Sequence, residues 1–367
     1  MSSSNSLKVA LVSSASSIHT VRWANGLSEA GHEVHVISQH SVCERFNAEV
    51  KLHLFPSRGN AGYFTMVPGV KKLLSTLKPD IVNAHYASGY ATTARLVGWH
   101  PWLLSVWGSD VYSFPYKSPI HMWLVKKNIM SADMVASTSR CMAEQVRRLT
   151  PSIEDIQITP FGVDMAAYDS INVGGARAKT SITVGTVKTM ASTYGIDILI
   201  RAFSLVLAQL GKDEPALAEG IKLRLVGGGP DMEKYQAYAQ RLGLQDRVEF
   251  VGRVPHHMVP VELAKLDVYV ALSRAESFGV AVIEAGAAGC PVVVSDVGGL
   301  PEVTLHNKTG LVVPPENPQL AAEAMRLLIL DSQMRSEFGL AAKKHVSENY
   351  SWQACVQTMV DVYRKAI

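Results

Sequence analysis

The chain has 367 residues, 47% of them hydrophobic and 18% charged, which is long enough for two domains of ordinary size and a large core. A formal net charge of +3 excludes the broad basic field of a nucleic-acid binder, so no nucleic-acid partner is expected. The four cysteines, Cys43, Cys141, Cys290 and Cys355, are far apart and form no C-x-x-C pair, which argues against a zinc site or a disulfide framework and suits a reducing cytosol.

Met1 to Lys8 is polar and serine-rich and runs straight into an apolar segment, with no signal-peptide-like stretch before it. No apolar run approaches the roughly 18 to 20 residues that span a bilayer. A cytoplasmic location is expected, with any membrane contact peripheral and at the inner face of the cell membrane.

Short Val-, Ile- and Leu-rich runs alternate with longer helix-like stretches. Lys8 to Ser13 reads as a buried strand, Val21 to Ala30 as a helix ended by Gly31, and Glu33 to Ile37 as the next strand. Further strands are expected at Pro79–Asn83, Leu103–Val106 and Asp133–Ser137. Continuous apolar strands predict a parallel sheet covered on both faces. A break follows at Phe161-Gly162-Val163-Asp164, and the polar, Gly-rich stretch from Ser170 to Lys179 reads as a linker. The rhythm then restarts. Strands are expected at Ile182–Gly185, Lys222–Val226, Val248–Val251, Val268–Leu272, Pro291–Ser295 and Gly310–Val313, with a helix at Ile196–Gln209. Ser351 to Ile367 carries apolar residues at helical spacing and reads as a packed helix. The expected fold class is α/β, with two Rossmann-like doubly wound domains facing each other across a cleft. The boundaries expected are 1–165 for the first domain, 166–345 for the second, and 346–367 for a helix packing back toward the first.

The most informative stretch is Ser273 to Ala285, S-R-A-E-S-F-G-V-A-V-I-E-A, which follows the strand Val268–Leu272. A helix starting near Phe278 or Gly279 and running to Gly289 would aim the N–H groups of Ser277 to Val280 at an anion, and a diphosphate suits such a site. Glu276 sits just before it, where a carboxylate is tolerable if sugar hydroxyls donate to it. Glu284, further into the helix, can bond a ribose. On spacing alone an equal alternative stands: Glu276 as a charge stabilising the helix dipole and Glu284 as a solvated position.

Glu276 and Glu284 form an E-x7-E arrangement within S-R-A-E-S-F-G-V-A-V-I-E-A-G-A-A-G-C-P-V-V-V-S-D-V-G-G-L-P-E-V. This resembles the signature region of retaining glycosyltransferase family 4, the glycogen-synthase-like group 1 glycosyltransferases of GT-B fold, and the surrounding landmarks fall in family order. The resemblance implies that Glu276 contacts the transferred sugar and is catalytic, that Glu284 binds the ribose, and that the Ser277-Phe278-Gly279-Val280 backbone holds sugar and diphosphate. Gly227-Gly228-Gly229-Pro230 resembles the family's glycine turn, with Gly227 and Gly228 at the donor. Val251-Gly252-Arg253-Val254 resembles the segment beside the nucleobase, where backbone groups such as that of Val254 read uracil and Arg253 covers the ring. Phe161-Gly162-Val163-Asp164 stands at the family's N-x-G-x-D-like turn, with Phe161 where Asn is frequent, and marks the hinge.

Two departures matter. Gly185-Thr186-Val187-Lys188 replaces the family's Gly-Arg-Leu, and Tyr194-Gly195 stands where Lys-Gly is usual, leaving Lys188 as the nearest diphosphate ligand; an exposed loop lysine is the plainer alternative. The first βα loop has Ser13-Ser14-Ala15-Ser16-Ser17-Ile18-His19 instead of paired glycines. Ser16 and Ser17 are candidate phosphate donors, or simply part of a polar loop. His85, in Asn83 to Gly89 after a strand, resembles the family histidine that approaches the donor sugar; a structural histidine is the alternative. Ser109 and Asp110 lie after the next strand and are candidates for the acceptor side. His256-His257 fit no metal spacing and read as loop residues.

The resemblance implies a hexosyl transfer with retention, by front-face displacement, from a UDP-sugar to a glycan or lipid-linked acceptor in polysaccharide or glycolipid assembly. No D-x-D pair is placed for a diphosphate-bound metal, so no cofactor and no metal are expected. A GT-B epimerase or a non-catalytic sugar-nucleotide binder remains an alternative. A pyridoxal-phosphate-dependent phosphorylase lacks a marked lysine, and a dehydrogenase lacks G-x-G-x-x-G after the first strand. Pro68 to Lys78 and Tyr116 to Lys127 mix lysines with apolar residues. They read either as contacts with an anionic membrane or as ordinary helices with a solvated basic face.

Overall fold

The computed structural model describes residues 6–42, 44–171 and 181–367. Cys43, the first residues of the polar start and most of the expected 170–179 linker lie outside the described residues.

The strands are β1 (Lys8–Val12), β2 (Glu33–Ser38), β3 (Lys51–Leu54), β4 (Ile81–His85), β5 (Trp102–Val106), β6 (Met134–Ser137), β7 (Ile156–Ile158), β8 (Thr183–Val187), β9 (Lys222–Val226), β10 (Val248–Gly252), β11 (Val268–Ala271), β12 (Val292–Ser295) and β13 (Gly310–Val313). They form a seven-stranded sheet, β3-β2-β1-β4-β5-β6-β7, and a six-stranded sheet, β10-β9-β8-β11-β12-β13. Every pairing is parallel. Each order reverses direction beside the first strand of its unit, between β1 and β4 and between β8 and β11, which is the switch point of a doubly wound sheet. The continuous apolar runs have the expected cause: β4 and β5 are buried along their whole length.

Two strands escape sequence reading. β3 (KLHL) is mostly exposed, and β7 has three residues. Both are edge strands, where no continuous apolar run is needed. The strand expected at Pro79–Asn83 begins later, at Ile81. Pro79 has no N–H to donate, and the Asp80 carboxylate accepts the Lys8 N–H at 2.7 Å instead. Asn83, Ala84 and His85 therefore lie inside β4 and not after it.

By internal contacts the chain divides into two compact units, Met1–Phe161 with Trp352–Ile367, and Gly162–Ser351. The divisions fall at 161/162 and 351/352, where 165/166 and 345/346 were expected. The reason is local: the Val163 N–H donates to the Tyr350 carbonyl at 2.8 Å and Val163 bridges to Ser351, so both crossing segments are tied together inside the second unit. The last helix, Trp352–Ala366, belongs to the first unit. Its Tyr363 is fully buried and its Oη accepts a hydrogen bond from Asn83 Nδ2 at 2.8 Å. Trp352 packs against Trp23, ring centroids 5.0 Å apart. Among the described residues Cys141, Cys290 and Cys355 form no disulfide.

Candidate functional site

In the second domain β8 ends at Val187 and delivers Lys188 to the edge of a loop cluster. The Lys188 Nζ lies 2.5 Å from Glu276 Oε2, and both side chains are largely buried. It also sits over the Tyr194 ring, 4.7 Å from the centroid. Burial works against the ammonium, but the Glu276 carboxylate together with Tyr269 and Tyr194 outweighs it, and Lys188 is held above its ordinary pKa. The lysine is thus a fixed cation, not an exposed loop residue. Tyr194, at the position where the family has a lysine, supplies a ring face in place of a second charge.

The loop carrying Glu276 is anchored along its length. The Arg274 N–H donates to the Thr193 carbonyl at 2.7 Å, Ser295 Oγ donates to the Ser273 carbonyl at 2.7 Å, and the Gly299 N–H donates to the Glu276 carbonyl at 3.0 Å. Phe278 is buried, with its ring against Tyr350. The helix that follows spans Val280–Ala287, shorter at both ends than expected. Gly279 caps it with φ 110°, a conformation that strains any side chain-bearing residue. The N–H groups of Val280 and Ala281 have no carbonyl within the helix to bond, so the start of the helix offers donors and the positive end of the dipole.

Glu284 is buried on this helix, where the plainer reading had it solvated. Its Oε1 lies 3.3 Å from His256 Nε2. No sequence spacing signals this pair, because His256 comes from the short turn His256–Met258 after β10.

The glycine turn after β9 serves the protein's own backbone first. A Cβ on Gly227, whose φ is 137°, would fall 1.9 Å from the Lys188 carbonyl oxygen. The Gly227 N–H donates to Gly252 O at 2.8 Å and the Met190 N–H to Gly228 O at 3.1 Å. This close packing holds the Lys188 loop. Gly228 faces Arg253, which is exposed, while Val254 beside it is half-buried.

The profile of "Glycosyl transferases group 1" matches residues 170–345, and that of "Glycosyl transferase 4-like" matches residues 8–139. A D-inositol 3-phosphate glycosyltransferase of Corynebacterium efficiens is 30% identical over 322 residues, covering 78% of this chain and 71% of that protein. A GDP-mannose-dependent alpha-(1-6)-phosphatidylinositol monomannoside mannosyltransferase of Mycobacterium tuberculosis is 26% identical, covering 75% and 72%. The crystal structure of Anabaena HepE in complex with UDP superposes with a TM-score of 0.78 at 17% identity, covering 98% of this chain and 100% of that one. The chain belongs to the group 1 glycosyltransferases of family 4. Its two parallel-sheet domains are those of the GT-B fold.

The first domain of this glycosyltransferase gathers its own candidates at the carboxyl ends of β1, β4 and β5. His85, read as approaching the donor sugar, is fully buried. Its Nδ1 meets Ser13 Oγ at 2.9 Å, and its ring lies 4.2 Å from that of Trp107. Burial pushes the imidazole down to about 3, with His19 adding to the effect, so the ring is neutral. His19 stacks on Phe161, the aromatic that stands where Asn is frequent in the family, with ring centroids 4.2 Å apart. Tyr86, next to His85, has φ 71°, a strained conformation for a residue with a side chain.

Asp110 does not line open space. It is buried, and its carboxylate accepts the N–H groups of Ala87 (2.8 Å), Gly108 (2.8 Å) and Trp107 (3.2 Å). It staples the loop after β5 to the loop after β4, whereas Ser109 is exposed. In the first βα loop Ser16 is exposed, its Oγ 2.8 Å from Ser14 Oγ, and Ser17 begins the helix Ile18–Glu29 without a side-chain cap bond. Among the described residues no three His, Cys, Asp or Glu cluster as a metal site, and no helix is long and apolar enough to cross a membrane.

The two lysine-bearing stretches differ. The helix Val67–Leu77 turns Val70 and Leu74 into the core, which accounts for its apolar face. The helix Pro119–Ser131 instead leaves Ile120 75% and Trp123 55% exposed beside Lys126 and Lys127. Ile120 also lines a cavity of about 220 Å³ with Tyr63, Phe64 and Phe114.

Proposed function

We propose that this glycosyltransferase transfers a hexose with retention from a UDP-sugar to a glycan or lipid-linked acceptor in polysaccharide or glycolipid assembly, without a metal. The Lys188–Glu276 pair beside the start of the helix Val280–Ala287 carries the reading. A fixed ammonium and a helix start supply positive charge for a departing diphosphate, and the adjacent carboxylate accepts hydroxyls of the sugar. When the diphosphate arrives it shares Lys188 with Glu276. The leaving oxygen helps deprotonate the acceptor hydroxyl, and no side chain forms a covalent bond to the sugar; the protein positions the reactants and stabilises charge. Buried Glu284 takes the ribose hydroxyls, with His256 beside it.

The base is the less constrained part of the donor, since the mycobacterial relative is described as GDP-mannose-dependent and HepE was crystallised with UDP. Release of nucleoside diphosphate from a panel of UDP- and GDP-sugars, with EDTA and with candidate acceptors, tests donor and metal together. Release from no sugar nucleotide, with none bound by calorimetry, overturns the reading. Docking on an anionic membrane is supported by exposed Ile120 and Trp123 beside lysines. Co-sedimentation with anionic vesicles at low salt tests it, and absence of binding removes it.

A further inference from the structure

The second domain holds a cavity of about 410 Å³ that shares no side chain with the Lys188–Glu276 pair. Arg201, Lys234, Arg241 and Arg274 line it, against only two carboxylates, Asp197 and Glu316. Both carboxylates are engaged by one guanidinium. Arg274 Nη1 and Nη2 donate to Asp197 Oδ1 and Oδ2 at 2.9 and 2.7 Å, and its Nε lies 2.5 Å from Glu316 Oε1. The other three cations are exposed, and among the described residues none of them pairs with a carboxylate. Arg241 stacks near the Tyr238 ring, 5.5 Å from its centroid.

Three cations that line one cavity without carboxylate partners are complementary to a compact, multiply charged anion, and guanidinium forks suit phosphate oxygens. The volume falls in the range of small-molecule sites. Asp197, Glu316 and the Tyr238 hydroxyl add partners for alcohol groups, so the lining matches a phosphate joined to a polyol. Glu316 is held at φ 55°, a strained conformation that its grip on Arg274 accompanies. Arg274 precedes Glu276 by two residues on one anchored loop.

We propose that this cavity binds a small phosphorylated polyol, a hexose monophosphate in kind, and that its occupation acts on the Glu276 loop through Arg274. The phosphate competes with Glu316 for the guanidinium, and the shift is passed along the backbone that Thr193 and Gly299 hold.

The test is calorimetry with glucose 6-phosphate and with inorganic phosphate at equal ionic strength, on the wild type, on R201E/R241E and on K188A. The wild type should bind the ester more tightly than free phosphate, R201E/R241E should weaken it by about tenfold or more, and K188A should leave it unchanged. Loss of binding in K188A with retention in R201E/R241E would place the anion at Lys188 and overturn the site, as would no saturable binding to the wild type at millimolar ester. Equal affinity for free phosphate overturns the polyol assignment. Amide hydrogen exchange at residues 275–279 should change when the ester is added; unchanged exchange at saturation overturns the coupling. None of these readouts uses a sugar nucleotide, so failure of the proposed function and failure of the cavity assignment are separable.

Discussion

Lys188 and Glu276, 88 residues apart in the chain, meet at 2.5 Å in a largely buried place. Neither charge is freely solvated, so each depends on the other. Lys188→Met should leave the carboxylate without its cation and lower stability by about 3 kcal/mol, while K188M/E276Q should recover part of the loss. Urea denaturation of the two single variants and the double variant measures the coupling. Additive effects would mean that the contact contributes nothing to the folded state.

The two glutamates should separate in kinetics. On the proposed function, Glu276→Ala should lower transfer by about 100-fold or more while UDP still binds, since Glu276 is there assigned to the transferred sugar. Glu284→Ala should mainly weaken UDP, by about tenfold. Titration calorimetry with UDP beside turnover assays distinguishes them. Equal, mild effects would assign both to structure alone.

Acid should find His85. Its folded-state pKa lies near 3 and the usual histidine value is 6.5, so between those values the unfolded chain binds the proton and the folded one does not. Stability from this group is complete above about pH 6.5 and falls as pH drops toward 3, by up to about 1.4 kcal/mol per pH unit. H85N should therefore show a flatter loss of Tm between pH 6.5 and 5 than the wild type. Parallel pH profiles would show that His85 is not the group that titrates.

Asp110→Asn keeps the shape but replaces one carboxylate oxygen with a donor that faces a backbone N–H. The expected cost is about 2 kcal/mol in chemical denaturation. Ser109→Ala, on an exposed neighbour, should cost little. If D110N is as stable as S109A, the loop is not held by the carboxylate.

The sequence by itself determined the two α/β domains and the helix start that follows the loop from Ser273. Both are written in contiguous residues: strands buried on both faces must be apolar throughout, and a helix start must follow its own loop. Edge strands β3 and β7 carry no such local demand and stayed hidden. Only the tertiary structure decided which charges have partners. It gave Lys188 to Glu276, His256 to Glu284 and the Asp110 carboxylate to three backbone amides. It also enclosed His85 and brought Tyr363 to Asn83. Apart from the Asp110 contacts within its own loop, these pairings join residues well separated along the chain. Burial, not spacing, sets whether such a side chain is a solvated charge or half of a pair, and burial exists only once both sheets have closed.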